Sequence, residues 1–244
     1  MDPFASWRAA DSPDRLGMTE IRHVEGYLAY WDELRRRHPD MLIDACASGG
    51  RRNDLETLRR AVPLLRSDAI MDPIWQQNQT YGCALWMPFY GTGIGGLEAY
   101  TFRSQMTPNL IGVWDMRNRD LDYDTLRKLM GEWRAVNANY YGDYYPLTPY
   151  APGDDAWVGW QFARPEVGAG MIQAFRRPKN SDPSITLKLR GLDPAVTYRI
   201  VDLDGGDPVI KSGKELMERG LTIVRPSAPA STLITYKQTS LNQN

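Results

Sequence analysis

Only two cysteines and two histidines occur in the 244 residues. Cys46 and Cys83 each sit inside an apolar stretch, so a disulfide framework is not expected and a reducing compartment fits, with the cytoplasm as default. His23 and His38 fall in one helical segment away from any Cys pair, which leaves a zinc site without ligands. No metal and no other cofactor is expected. No apolar run approaches the roughly 18 residues needed to span a bilayer, and "MDPFASWRAADSPDR" lacks a basic segment followed by an apolar one, so neither a membrane nor a leader peptide is anticipated. Charge of one sign is missing too: 29 Lys and Arg face 30 Asp and Glu. The densest basic cluster, Arg35 to Arg37, lies beside Asp32, Glu33 and Asp40, as on a solvated helix face, and nucleic acid is not expected as a partner.

What is present is a globular composition, 42% hydrophobic with eight tryptophans. "TEIRHVEGYLAYWDELRRRHPD" spaces Ile21, Val24, Leu28, Trp31 and Leu34 as an amphipathic helix, with Thr19 as its cap and Pro39 closing it. Strand-like "MLIDACAS", a helix over "NDLETLRRAVPLL" capped by Asn53 or Asp54, strand-like "LLRSDAI", a helix starting at Pro73, strand-like "LWMPFYG", a short helix near "GGLEAYTFRSQ", strand-like "LIGVWDM" and the helix "DYDTLRKLMGEWRAVNANYY" follow. This alternation predicts about four parallel β-α units, with function at the C-terminal strand ends. Beyond "YPLTPYAPGDD" the pattern changes. "AWVGWQFA", "GAGMIQAFRR", "ITLKLRGL", "TYRIVDLD", "LTIVRP" and "TLITYK" alternate with period two, as in a small antiparallel β domain. The expected organisation is an α/β domain over residues 1–150 and an antiparallel β domain over 151–244.

Three stretches could carry chemistry. In "DACASGGRRND", Ser48, Gly49 and Gly50 sit between strand and helix, where they form either an anion or hydroxyl cradle or a plain tight turn. Asp68 closes the strand-like "LLRSD", either as a catalytic carboxylate or as a cap of the next turn, and Asp72 follows it. "GTGIGG" satisfies G-x-G-x-x-G through Gly91, Gly93 and Gly96 and offers a dinucleotide-binding alternative, with Asp115 as the ribose acid. Trp86, Tyr90 and Trp114, at predicted strand ends, could stack on the apolar face of a sugar or simply fill the core.

Taken together, "LIDACASGGRRNDLETLRRAVPLLRSD" and "TYGCALWMPFYGTG" resemble the second half of the catalytic barrel of glycoside hydrolase family 36, the melibiase or α-galactosidase group. The resemblance runs from about Trp7 to Tyr150, and the trailing β domain resembles that family's C-terminal domain. It implies part of a (β/α)8 barrel, about half, followed by a small β-sandwich, and a retaining hydrolysis of terminal α-galactosides. By motif position Asp68 would be the general acid/base. Cys46, Ser48 and Gly49 would line the galactose pocket, Arg52 and Asp54 match the Arg and Asp of the same run, and Trp86 is a further candidate for sugar contact. The family's nucleophile lies in a K/R-x-D-x-N motif that precedes the segment similar to Met1–Arg15, so the chain is expected to start beyond it. Asp115, Asp44 and Asp72 are weak substitutes. Four β-α units leave sheet edges and an apolar interior open, which predicts a homodimer or higher homo-oligomer. A non-catalytic sugar-binding remnant is the other reading, alongside the dinucleotide one.

Overall fold

A computed structural model describes residues 3–46, 49–115 and 117–239. The chain divides into two compact units, residues 1–63 and 64–244.

In the first unit, α1 (Phe4–Ala10) leads to α2 (Met18–Arg37) and the single turn α3 (Leu55–Leu58). The cap of α2 comes from an unexpected residue. Gly17, at φ 94°, turns the chain so that the Asp11 carboxylate accepts from Gly17 N (2.6 Å), Thr19 N (2.8 Å) and Thr19 Oγ1 (2.6 Å). Thr19 therefore donates inside the helix where a capping acceptor was expected, and the bond from its hydroxyl is the main cause holding Asp11 below the usual carboxylate range. The helix predicted from Asn53 onward stops after one turn, because Val62 is β-branched and precedes Pro63, both of which favour extended backbone. Val62 instead forms a parallel bridge with Asp44: Val62 N–H donates to Ile43 O and Ala45 N–H to Val62 O, each at 2.9 Å. Trp31, Ala45 and Ala61 form the small core of this unit.

The second unit begins with α4 (Pro73–Cys83), β1 (Gly91–Ile94), α5 (Ala99–Ser104), β2 (Asn109–Gly112) and α6 (Tyr123–Val136), the last running into a 3-10 turn at Asn137–Tyr141. β1 and β2 pair in parallel, Gly91 opposite Asn109 through Ile94 opposite Gly112. The strand expected at "LWMPFYG" is displaced: residues 84–86 form a turn, and the strand is "GTGI" itself.

Then come β3 (Asp143–Pro146), β4 (Trp157–Arg164), β5 (Ala169–Arg176), β6 (Ser184–Leu187), β7 (Thr197–Asp202), β8 (Val209–Ser212), α7 (Gly213–Glu218), β9 (Leu221–Val224) and β10 (Ala230–Gln238). An antiparallel six-stranded sheet runs in the order β3-β4-β5-β10-β7-β8, and β6 pairs with β9. Antiparallel sheet with flanking helices is thus the dominant architecture. Its central strands are buried on both faces, and period two divides their side chains between two cores. Val158, Trp160, Phe162, Met171 and Phe175 join Phe102, Met106 and Leu126 from the helical region. Trp157, Ile172, Ala174, Ile234 and Tyr236 face the other way, onto Leu187, Leu221 and Ile223. The change of composition at residue 150 therefore marks the start of the long strands and does not separate two cores, since the first of these clusters draws on both sides of it. No helix among the described residues is long and apolar enough to cross a membrane.

Candidate functional site

Residues 64–66 run beside the start of β1, where Arg66 N–H donates to Gly91 O at 3.0 Å. The approach is so close that a Cβ on Gly91 would come within 2.2 Å of Leu64 O, which is why glycine opens this strand. After Ser67 the chain turns sharply: Ala69 N–H donates to Ser67 Oγ (3.2 Å) and Ile70 N–H to Asp68 O (2.8 Å). Two buried amides brace the turn, Gln76 Nε2 donating to Ala69 O and Gln105 Nε2 to Ile70 O, both at 2.6 Å. The side chain of Ile70 lies against Gly93 and that of Met71 against Gly95. The turn carrying Asp68 thus sits at the C-terminal end of β1, the end at which parallel α/β sheets bind ligands.

Arg66 anchors the same segment from below. It is 1% exposed, donates through Nη2 to Gln76 O (3.0 Å), Gln76 Oε1 (3.0 Å) and Thr80 Oγ1 (2.8 Å), and stacks on the Tyr90 ring at 5.0 Å. Burial pulls this guanidinium below its ordinary pKa and pushes the Tyr90 phenol up. Asp68, by contrast, is exposed, and its carboxylate makes no hydrogen bond or ion pair among the described residues. The neighbouring carboxylates are committed elsewhere. Asp72, not Asp68, caps the next helix, its Oδ1 accepting from Ile74 N (2.8 Å) and Trp75 N (3.0 Å). Asp115 is clamped by the Arg117 guanidinium (2.9 Å) and also accepts from Arg117 N (2.9 Å); the guanidinium bond is the larger cause holding its pKa down.

The other sequence candidates lie mostly in the first unit. Cys46 is an exposed free thiol whose N–H donates to Asp44 Oδ1 at 3.2 Å. Ser48 lies outside the described residues. Gly49 and Gly50 take φ of 73° and 82°, the left-handed region in which other residues are strained. Arg52 stacks over Tyr27 at 5.0 Å, and Asp54 caps α3 by accepting from Thr57 N (2.9 Å) and Thr57 Oγ1 (2.8 Å). Trp86 belongs to the second unit, in the turn between α4 and β1, with its N–H donating to Cys83 O at 3.1 Å. That is the N-terminal end of β1, so the structure does not bring Trp86 to the Asp68 turn. Tyr90 is buried beneath Arg66 and presents no free ring face.

The dinucleotide alternative is not favoured. Gly91 and Gly93 lie within a buried strand, and their Cβ positions are filled by Leu64 O, Val113 and Ile70. That leaves little room for a phosphate against this backbone, and α5 begins only at Ala99. Sequence reasoning also missed the braces Gln76 and Gln105. A signal for the first existed: Gln76 and Thr80 stand four apart on α4, and both are fully buried, a polar stripe where an ordinary amphipathic helix has an apolar one. No group of three or more potential metal ligands occurs among the described residues.

Residues 157–235 match the glycosyl hydrolase family 36 C-terminal domain. The α-galactosidase Mel36A of Lactobacillus acidophilus is 25% identical over 85% of the chain, and the α-galactosidase AgaA of Geobacillus stearothermophilus 24% over the same share. The chain spans about 30% of the length of each. Among solved structures, the α-galactosidase of Lactobacillus brevis matches 96% of the chain and 34% of its own with a TM-score of 0.80 at 16% identity. A variant of AgaA crystallised in complex with stachyose matches 94% of the chain and 33% of its own, with a TM-score of 0.78 at 21% identity.

Proposed function

Since the chain is related to the family 36 glycosyl hydrolases and carries their C-terminal domain over residues 157–235, we propose that it forms part of an α-galactosidase-like site in which Asp68 is the general acid/base. The observation that carries this reading is the Asp68 turn: an exposed, unengaged carboxylate, held by two buried amides at the C-terminal end of a parallel strand. In the first step its O–H donates the proton to the glycosidic oxygen as the bond from that oxygen to C1 of galactose breaks and a second carboxylate, the family's nucleophile, bonds to C1. In the second its carboxylate takes a proton from the incoming water, whose oxygen bonds to C1 and displaces that second carboxylate. Asp72 and Asp115 are poor second carboxylates, because one is spent on the α4 cap and the other on Arg117. By motif position alone, Cys46, Ser48, Gly49, Arg52 and Asp54 of the first unit are proposed as sugar-binding residues. The deciding experiment compares wild type with Asp68→Asn on galactosides of differing leaving group.

We read residues up to about 150 as part of a (β/α)8 barrel. The parallel Asp44–Val62 bridge, the approach of Arg66 to Gly91 and the β1–β2 ladder support this, as does the alternation of these segments with α2 to α6.

Each unit also leaves large apolar side chains in solvent: Ile21, Val24 and Leu42 in the first, Met71, Trp75, Leu85 and Trp86 in the second. Exposed apolar side chains of this size can form association surfaces, and we propose that the chain associates with itself to cover them. Light scattering at micromolar concentration is expected to give a mass of at least twice 27.7 kDa. A monodisperse monomer overturns the proposal.

A further inference from the structure

On the antiparallel sheet, the face that packs against α5 and α6 extends past the helices and becomes cationic. Arg199, Val201 and Leu203 project from one face of β7 and its continuation, and Thr235 and Lys237 from the same face of β10, by the period-two rule. The register places Arg164 opposite Ala169, Ala169 opposite Lys237, and Lys237 opposite Arg199. One row across four strands therefore carries three cations and no acid. Arg164 is paired with Glu166 at 2.7 Å. Arg199 and Lys237 have no hydrogen bond or ion pair through their side chains among the described residues, although like charges directly opposite in a sheet repel.

These residues line an open groove of about 520 Å³ between the sheet and the end of α6. Its apolar lining comes from Ala135, Ala138, Val201 and Leu203. Asn139 lines it as well, only 9% exposed, and its side-chain amide makes no hydrogen bond among the described residues. An amide with unused donors and acceptors on the groove wall, beside two unneutralised cations, matches a ligand that brings both hydroxyls and negative charge.

We propose that this groove binds an acidic saccharide, a sugar ring bearing a carboxylate or a phosphate. The anion lies between Arg199 and Lys237 and relieves their repulsion. The ring's C–H face rests on the alanines and Leu203, and its hydroxyls pair with Asn139 and Thr235. The groove holds one or two sugar rings, and its only aromatic side chain, Tyr236, is 2% exposed, so no ring face is offered to a nucleobase. The site uses none of the residues around Asp68 and stands or falls independently of the hydrolase reading.

Isothermal titration of the full chain at low salt, with galacturonate and galactose 6-phosphate as ligands and galactose and inorganic phosphate as controls, tests it. At least one acidic sugar is expected to bind, and to weaken by about tenfold or more both in the Arg199→Ser, Lys237→Ser double variant and on raising salt to about 0.5 M. Asn139→Ala should weaken that sugar while leaving inorganic phosphate unaffected. All three positions can be changed without opening the hydrophobic core, and circular dichroism checks the fold of each variant. Neither acidic sugar binding more tightly than galactose overturns the proposal. So does inorganic phosphate binding as tightly as galactose 6-phosphate, or a double variant that binds like wild type.

Discussion

Asp68→Asn is expected to lower hydrolysis of an α-galactoside whose leaving group is another sugar by roughly 10²–10⁴-fold, about 3–5 kcal/mol in barrier, while melting at the wild-type temperature. The size follows from the leaving group. A sugar alkoxide cannot depart without a proton, and the amide of Asn has none to give at the right acidity. A dinitrophenyl galactoside departs unaided, so its bond-breaking step should fall by no more than about tenfold. The stability half of the expectation comes from the structure, because the Asp68 carboxylate makes no hydrogen bond or ion pair that an amide could lose. Loss of activity with loss of melting temperature would indicate a structural role. Equal losses on both leaving groups, or no turnover by the wild-type chain on either, would refute the acid/base assignment. Added azide supplies a further readout: it should restore turnover of the activated substrate in Asp68→Asn by attacking the glycosyl intermediate without base assistance, and leave the wild type unaltered.

How far such a site can be read from sequence depends on what each residue is packed against. The long strands β4, β5, β7 and β10 were legible because alternate residues face two different cores, and that alternation survives in the sequence. Asp72-Pro73 was legible as a helix start, although its side chain turned out to be the cap that Asp68 was suspected of being. The parallel segments were harder. β1 reads "GTGI" because Gly91 must admit Leu64 O and Gly93 must admit Ile70 and Val113, so the closest-packed strand of the region looks like a loop. β8 and α7 escaped notice as a short exposed strand and a helix of six residues. The Asp68 turn was legible as a motif, but its supports were not. Gln105 and Arg66 are polar residues in buried positions that nothing in local periodicity distinguishes from solvated ones, and for Gln76 the only signal is its spacing of four from Thr80 on α4.

Those supports also explain why an antiparallel domain accompanies a site built on parallel strands. Helix α4 holds the Asp68 turn through Gln76, and Arg177, just past β5, holds α4. Arg177 is fully buried, donating to Gln77 Oε1 (2.9 Å), Asn78 Oδ1 (2.8 Å), Ala151 O (2.6 Å) and Gly153 O. Gln77 in turn donates to Ser104 Oγ at 2.9 Å and Tyr100 Oη at 3.0 Å on α5. The sheet therefore fixes the two helices from which the amides that shape the Asp68 turn are held. On the proposed function its contribution is positional.

Arg66→Met tests that chain of support at its tightest link. Methionine fills much of the volume of the aliphatic stem, so the main losses are the three bonds to Gln76 and Thr80 and the stacking on Tyr90. Hydrogen bonds from a charged donor contribute about 1.5–3 kcal/mol each. Here they share one nitrogen, and burial of the cation offsets part of the gain, so a net loss of roughly 3 kcal/mol is expected. For a chain of this size that lowers the melting temperature by roughly 6–12 °C. Arg66→Lys should recover little of it. An ammonium is a point charge on a shorter reach, unable to satisfy the helix carbonyl, the amide oxygen and the hydroxyl together or to stack flat on the ring. Since Asp68 follows two residues later, turnover should fall in both variants even well below their melting temperatures. Thermal melts followed by circular dichroism, paired with galactoside turnover at 20 °C, separate the two effects. A melting temperature within about 2 °C of wild type would mean that Arg66 is dispensable to the turn, and the Asp68 geometry would then rest on Gln76 and Gln105 alone.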